Sequence, residues 1–142
     1  MHLRLLVGLF LFIFITLSSA VHSDAMDTRT RAALAAAEDF LALVDTARYA
    51  ESWDEAATFF KAQVPRDEWV RQISSLRPAF GKVLERRLKS ARRETSLPGA
   101  PDGLYIVIQY DTTFENKRKA VETITPMREN DGQWRVSGYY IK

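Results

Sequence analysis

Apolar and polar positions recur along this chain with two different periods, and the change falls at Gly81. Before it the spacing is helical. Ala33, Ala37, Phe40, Leu41 and Val44 follow i, i+4, i+7, i+8, i+11, and the alanine-rich run 32–37 adds high helix propensity. Tyr49, Trp53, Ala56, Ala57 and Phe60 form a second helical stripe, set off from the first by a short turn over 45–48. A third helix starts around Pro65. Proline suits the first turn because its missing N–H leaves nothing unpaired there, and Asp67 and Glu68 favour the positive helix end. Trp69, Ile73, Leu76 and Phe80 give it one apolar face; Pro78 bends or ends it and Gly81 stops it.

Beyond Gly81 the period is two. Residues 83–95 read as a long charged strand, with Leu84, Leu88 and Ser90 on one face and Arg87, Lys89 and Arg93 on the other. The stretch 97–103 is a Pro/Gly loop. Residues 104–114, rich in β-branched and aromatic side chains, are a second strand; Asn116-Lys117-Arg118 is a turn, and 120–127 is a third strand. Glu129-Asn130-Asp131-Gly132 signals a hairpin leading into a fourth strand over 133–141. The expectation is an α+β fold, with three N-terminal helices packed on a curved four-stranded antiparallel meander. Alternation predicts an inward set of Ile106, Ile108, Tyr110 and Phe114 on the second strand and Trp134, Val136, Gly138 and Tyr140 on the fourth. On the third strand it favours Val121, Thr123, Thr125 and Met127 inward, which turns Glu122 outward, within reach of exposed ion pairing with Asp111 and Arg135.

The first residues obey neither period. Arg4 precedes an apolar run over 5–17, and Ser18-Ser19-Ala20 offers small residues at a cleavage site. This is the pattern of a cleaved secretory signal peptide. The run falls short of the roughly 20 residues a membrane span needs. A second possible cut follows Ala25, and Val21 in place of a cysteine rules out lipid attachment at the first one. The expected organisation is therefore a signal peptide over 1–20, a flexible polar lead-in over 21–31 and a single domain over 32–142. The expected location is a bacterial periplasm.

Composition then narrows the chemistry. The chain of 142 residues has no cysteine and two histidines, His2 and His22, both outside the expected domain. Disulfides, thiolate metal sites and Ser-His-Asp catalysis are excluded for the body. No metal and no cofactor is expected, because no oxygen-ligand spacing resembles a calcium loop. Charge is nearly balanced overall but unevenly placed: residues 21–60 carry three basic and eight acidic side chains, residues 61–93 ten basic and three acidic. The basic block around Arg86, Arg87, Lys89, Arg92 and Arg93 has the charge to attract nucleic acid, anionic lipid or an anionic polymer, but reads first as a solvated strand face that blunts a sheet edge. An exported protein of near-zero net charge is a poor nucleic-acid partner, and after cleavage no membrane partner is expected.

Several motifs carry a resemblance. They are Leu43-Val44-Asp45, Tyr49, Ser52-Trp53, Val64-Pro65-Arg66, Trp69, Arg87-Leu88-Lys89-Ser90, the loop 97–103, Gln109-Tyr110-Asp111-Thr112, Asn116-Lys117, the run 122–127 and Trp134-Arg135-Val136-Ser137-Gly138-Tyr139-Tyr140-Ile141. In that order they resemble the bacterial exported family called domain of unknown function 4019, over roughly residues 33–142. The order of helices and then meander also resembles the nuclear transport factor 2-like superfamily. That likeness implies a curved sheet wrapping helices as a cone, with a ligand or active site between them. Enzymes of such folds resembling cyclases and isomerases use acid/base residues in the cone, for which Asp45 and Glu122 are the nearest candidates here. For a pocket lining the candidates are Tyr49, Trp53, Trp69, Tyr110, Trp134 and Tyr140, since aromatics fill such pockets and also serve plain core packing. For an interface the candidates lie on the outer sheet face: Arg87, Lys89, Gln109, Asp111, Arg135 and Tyr139. The expected role is a non-catalytic module binding a small molecule or a periplasmic protein. The alternatives are a small cyclase/isomerase-like enzyme and a homodimeric structural protein.

Overall fold

The computed structural model describes residues 26–142; the expected signal peptide, and the lead-in up to residue 25, lie outside the described residues. The fold is α+β, with four helices followed by a four-stranded antiparallel open sheet: α1 (Thr28–Asp45), α2 (Tyr49–Asp54), α3 (Thr58–Gln63), α4 (Arg66–Phe80), β1 (Val83–Glu94), β2 (Leu104–Phe114), β3 (Lys117–Arg128) and β4 (Trp134–Ile141). The strands lie in chain order, β1-β2-β3-β4.

The first helix starts four residues before the alanine run. Asp27 accepts hydrogen bonds from the backbone N–H groups of Arg29 and Thr30, which satisfies donors a helix start otherwise leaves open. Residues 28–31 of the expected lead-in are therefore helical.

The expected second helix is two, so the count is four rather than three. Between α2 and α3, Ala57 is extended (φ −61°, ψ 148°) and its N–H donates to the carbonyl of Val136 on β4 at 2.8 Å. A helical Ala57 would spend that N–H within its own turn. The tertiary bond to the sheet edge breaks the helix. Pro78 does not end α4, which runs on to Phe80; Gly81, at φ 74°, does. A Cβ at Gly81 would lie 2.9 Å from the Cβ of Glu115, so this position needs glycine for space as well as for backbone angle.

One core joins the helices to one sheet face. Ala33, Leu34, Ala37, Phe40, Leu41 and Val44 of α1 pack with Trp69 and Ile73 of α4 and with Ile106, Ile108, Tyr110, Ile124 and Val136 of the sheet. The inward set on β2 is as the alternation predicts, with Ile106, Ile108, Tyr110 and Phe114 all buried. On β3 the prediction is wrong by one residue. Ala120, Glu122 and Ile124 stand opposite Thr112, Tyr110 and Ile108, and directly opposed residues of antiparallel strands share a face. Glu122 is thus inward and fully buried. Pro126 sits beside a break in the β3–β4 register, where a residue without an N–H costs no regular ladder bond.

Irregularities in the ladders reverse two further expectations. Ile124 faces Tyr139 and Pro126 faces Val136, so Thr125 alone is opposed by both Ser137 and Gly138. The extra residue shifts the alternation, turning Tyr139 into the core and Tyr140 outward at 50% exposure. A shift on β1 between Leu88 and Ser90 likewise leaves Arg93 opposite the inward Ile106, where it pairs with Asp27 at the start of α1 at 2.9 Å.

Candidate functional site

The two carboxylates singled out in the sequence come together, and they do so through arginines. Asp45 ends α1 and Glu122 lies on the inner face of β3. Arg86 projects from β1 between them. Its Nε donates to Glu122 Oε1 at 2.7 Å and its Nη1 to Asp45 Oδ2 at 2.7 Å, while Nη2 reaches the second oxygen of each at 3.1 Å. Glu122 also accepts from the hydroxyls of Thr112 at 2.6 Å and Tyr139 at 2.5 Å. A second arginine, Arg77 of α4, donates to Asp45 Oδ1 at 3.1 Å and to the carbonyl of Gly81 at 2.5 Å, with its guanidinium over the ring of Phe114.

Two anions and two cations therefore close a neutral cluster between the end of α1 and the sheet. The Glu122 side chain is 0% exposed, that of Arg77 5% and that of Arg86 17%. Burial alone would lower the Arg86 pKa; the hydrogen bonds to Asp45 and Glu122 outweigh it and hold the guanidinium above its usual value. Burial and the neighbouring Glu122 carboxylate push the Tyr139 phenol far up, so it stays a neutral donor. Glu122 accepts four hydrogen bonds, so its carboxylate has no vacant position for a substrate proton; Asp45 accepts three, all from the two arginines. Among the described residues no three metal-ligating side chains converge. Neither Arg86 nor Arg77 was singled out by the sequence as part of a site. The available signal was an arginine in phase with Leu84 and Leu88, the apolar positions of β1.

The Tyr110 hydroxyl is also buried, with no hydrogen-bond partner among the described residues, and burial with the nearby Glu38 raises its pKa to about 12. Both phenols give a pH prediction. A tyrosine whose folded pKa lies above the unfolded value of about 10 contributes stability fully present below that value and lost as pH rises through the folded one. Stability should thus fall between about pH 10 and 12. In ultraviolet difference titration, Tyr110 and Tyr139 should ionise only with unfolding. Smooth ionisation of all the described tyrosines near pH 10 in the folded protein would refute this.

The six aromatic candidates do not surround one void. Tyr49 and Trp53 pack on the core, and the Trp53 indole N–H is spent on the carbonyl of Val64 at 2.7 Å. Trp69 is buried, its N–H donated to Ser52 Oγ at 3.0 Å. Tyr110 lies in the core. Trp69 and Tyr140 flank a narrow cleft of about 160 Å³ between α4 and the end of β4. Trp134 lines a wider groove of about 420 Å³ between α1 and the start of β4, with Ala36, Asp39, Leu43, Glu55 and Arg135.

Of the outer-face candidates, Arg87, Lys89, Gln109 and Asp111 gather across β1 and β2: Arg87 stands opposite Asp111, and Lys89 pairs with Asp111 at 3.3 Å. Tyr139 is not among them, because the β4 irregularity turns it inward. Arg135 is at the far hairpin, held by Glu129 at 2.6 Å and Asp131 at 2.9 Å. Burial raises the Glu129 pKa, but the N–H of Thr58 and Arg135 together bring it below the usual carboxylate value. The expected pairing of Asp111, Glu122 and Arg135 on the outer face does not occur, since each has a different partner.

A family model described as "Protein of unknown function (DUF4019)" matches residues 36–139. No curated protein matches the chain.

Proposed function

Since the chain belongs to the DUF4019 family, a family defined without a function, we propose from its geometry that it is a non-catalytic binding or interaction module of the bacterial periplasm. We further propose that it carries a nuclear transport factor 2-like cone. Helices preceding a four-stranded meander and packing on one face of it support the cone. The leader pattern over residues 1–20 supports export.

The observation that carries the binding role is the contrast between the interior and the α1–β4 groove. Inside, the Glu122 carboxylate is saturated by Arg86 and two hydroxyls, and Asp45 is held by two arginines. A buried carboxylate is what the enzyme alternative needs, yet proton transfer also needs a free lone pair, and Glu122 has none to offer. The groove, at about 420 Å³, falls within the roughly 300–1,000 Å³ of small-molecule sites. The cleft beside Tyr140, at about 160 Å³, does not. In the groove Trp134 supplies an aromatic surface, and Asp39 and Glu55 supply charge that no ion pair among the described residues consumes.

The test is native mass spectrometry of the protein recovered from the periplasm of expressing cells. The expected species begins at Val21 and retains a small molecule or peptide, which the Trp134→Ala variant loses. An intact leader would refute export. A bare chain that also captures nothing from a periplasmic extract would refute the binding role.

A further inference from the structure

We propose that the outer face of β1, β2 and β3 binds a linear phosphate-bearing polyanion along a track formed by Arg87, Lys89, Arg118 and Lys119. The proposal concerns the face opposite the helices and is independent of the α1–β4 groove.

Three observations carry it. First, the described helices pack on the other side of the sheet, so no helix covers this face; the loop over residues 97–103 covers only its Tyr105 end. Secondly, ladder irregularities concentrate cations on it. The shift between Leu88 and Ser90 keeps Lys89 on the outer side beside Arg87, and brings Arg92 outward as well. A second shift, between Thr112 and Phe114, sets Arg118 and Lys119 at the mouth of a depression of about 310 Å³ that Arg87, Asp111 and Thr113 also line. Five cations thus meet three carboxylates, Glu85, Glu94 and Asp111. Each carboxylate is already paired, with Arg87, Arg92 and Lys89 respectively. Arg118 and Lys119 have no ion-pair partner among the described residues and are exposed. Thirdly, the charge is directional, because residues 26–80 carry nine acids against seven bases and residues 81–142 twelve bases against eight acids. A polyanion meeting this protein is steered to the sheet half.

The same features select the partner. An isologous dimer through this face would bring together two copies of a surface with five cations against three carboxylates, net positive against net positive, which disfavours self-pairing. A base-bearing strand needs exposed aromatic platforms to stack on. The only aromatic at an outward position of β1–β3 is Tyr105, and it is fully buried, its hydroxyl donated to the carbonyl of Pro101. A chain of repeating phosphates needs only spaced cations. Successive outward positions about 6.6 Å apart on β1, with β3 about 9.6 Å away across the sheet, supply them.

The test uses medium-chain inorganic polyphosphate as probe, titrated into the mature protein and followed by calorimetry. Saturable binding is expected, weakening roughly fiftyfold between about 50 and 200 mM salt, the slope for about four phosphate contacts. Arg118→Glu with Lys119→Glu should abolish binding at the higher salt. Arg29→Glu with Arg71→Glu, the same charge change on the helical side, should leave it intact. The neutral pair Arg118→Gln with Lys119→Gln should weaken it measurably and guards against misfolding of the first variant. Equal loss in both charge-reversed variants would overturn the proposal, since net charge rather than the track would then decide. So would displacement of the chain by inorganic phosphate at equal phosphate concentration, preference for phosphatidylglycerol vesicles, or tighter binding of a single-stranded oligonucleotide.

Discussion

Replacing Arg86 with methionine should lower the stability of the domain by about 3–5 kcal/mol, the usual cost of removing one partner from a buried ion pair. Methionine fills much of the space of the arginine stem but donates no hydrogen bond. Glu122, fully buried, would lose two of its four donors and the only charge that directly compensates it. Asp45 would keep Arg77 but lose its bidentate partner. Urea unfolding of wild type, Arg86→Met, Glu122→Gln and the double variant measures this as a cycle. Glu122→Gln alone should cost less than Arg86→Met, because an amide still accepts from Thr112 and leaves no buried anion. Adding Glu122→Gln to Arg86→Met should recover part of the loss, because the stranded charge is what makes the single variant so costly. A loss below about 1 kcal/mol in Arg86→Met would mean that Glu122 is not held by Arg86.

Trp69→Ala should be of similar size, about 3–5 kcal/mol, for a different reason. Trp69 is the joint between α4 and the other helices. Its ring meets Phe60 edge-on at 5.2 Å and Phe40 at 6.0 Å, and its N–H bonds the buried hydroxyl of Ser52 on α2. Truncation to alanine opens a cavity among side chains of three helices that cannot close together. Trp69→Phe keeps most of the ring and isolates the hydrogen bond; about 1 kcal/mol is expected, because Ser52 still donates to the carbonyl of Tyr49. Thermal unfolding with intact-protein tryptophan fluorescence checks both. Equal losses for alanine and phenylalanine would show that the hydrogen bond, not the packing, holds this joint.

The contrast between these two sites shows what was legible in the sequence. Trp69 could be found from spacing alone, because helix burial follows a 3.6-residue period and Trp69, Ile73 and the α1 stripe all keep it. Glu122 could not. Its neighbours on β3 alternate between threonines and aliphatics, so either phase offers an apolar face, and an unpaired carboxylate belongs outside. Only the register against β2 sets Glu122 opposite Tyr110, and only then do Arg86, Thr112 and Tyr139 become its partners. The exchange of Tyr139 and Tyr140 has the same origin. Period-two alternation extrapolates through Ser137 and Gly138, and one extra residue there reverses every side chain that follows.

Local pattern and composition alone gave the class of fold, the inward faces of α1 and β2, the order of the strands, and a body without cysteine or histidine; on α4 they placed Trp69 and Ile73 inward, but also Leu76, which is 46% exposed while Arg77 is buried. Those follow from local period and composition, which any segment carries within itself. Tertiary structure decided where the second helix breaks, because the N–H of Ala57 is claimed by Val136, seventy-nine residues on. It also brings both candidate carboxylates together with two arginines in one cluster, and sets the outer cations of β1 and β3 on either side of β2. Each of these depends on strand register and on pairing between residues far apart in the chain. A one-residue slip leaves the local pattern unchanged while moving a side chain from solvent to core.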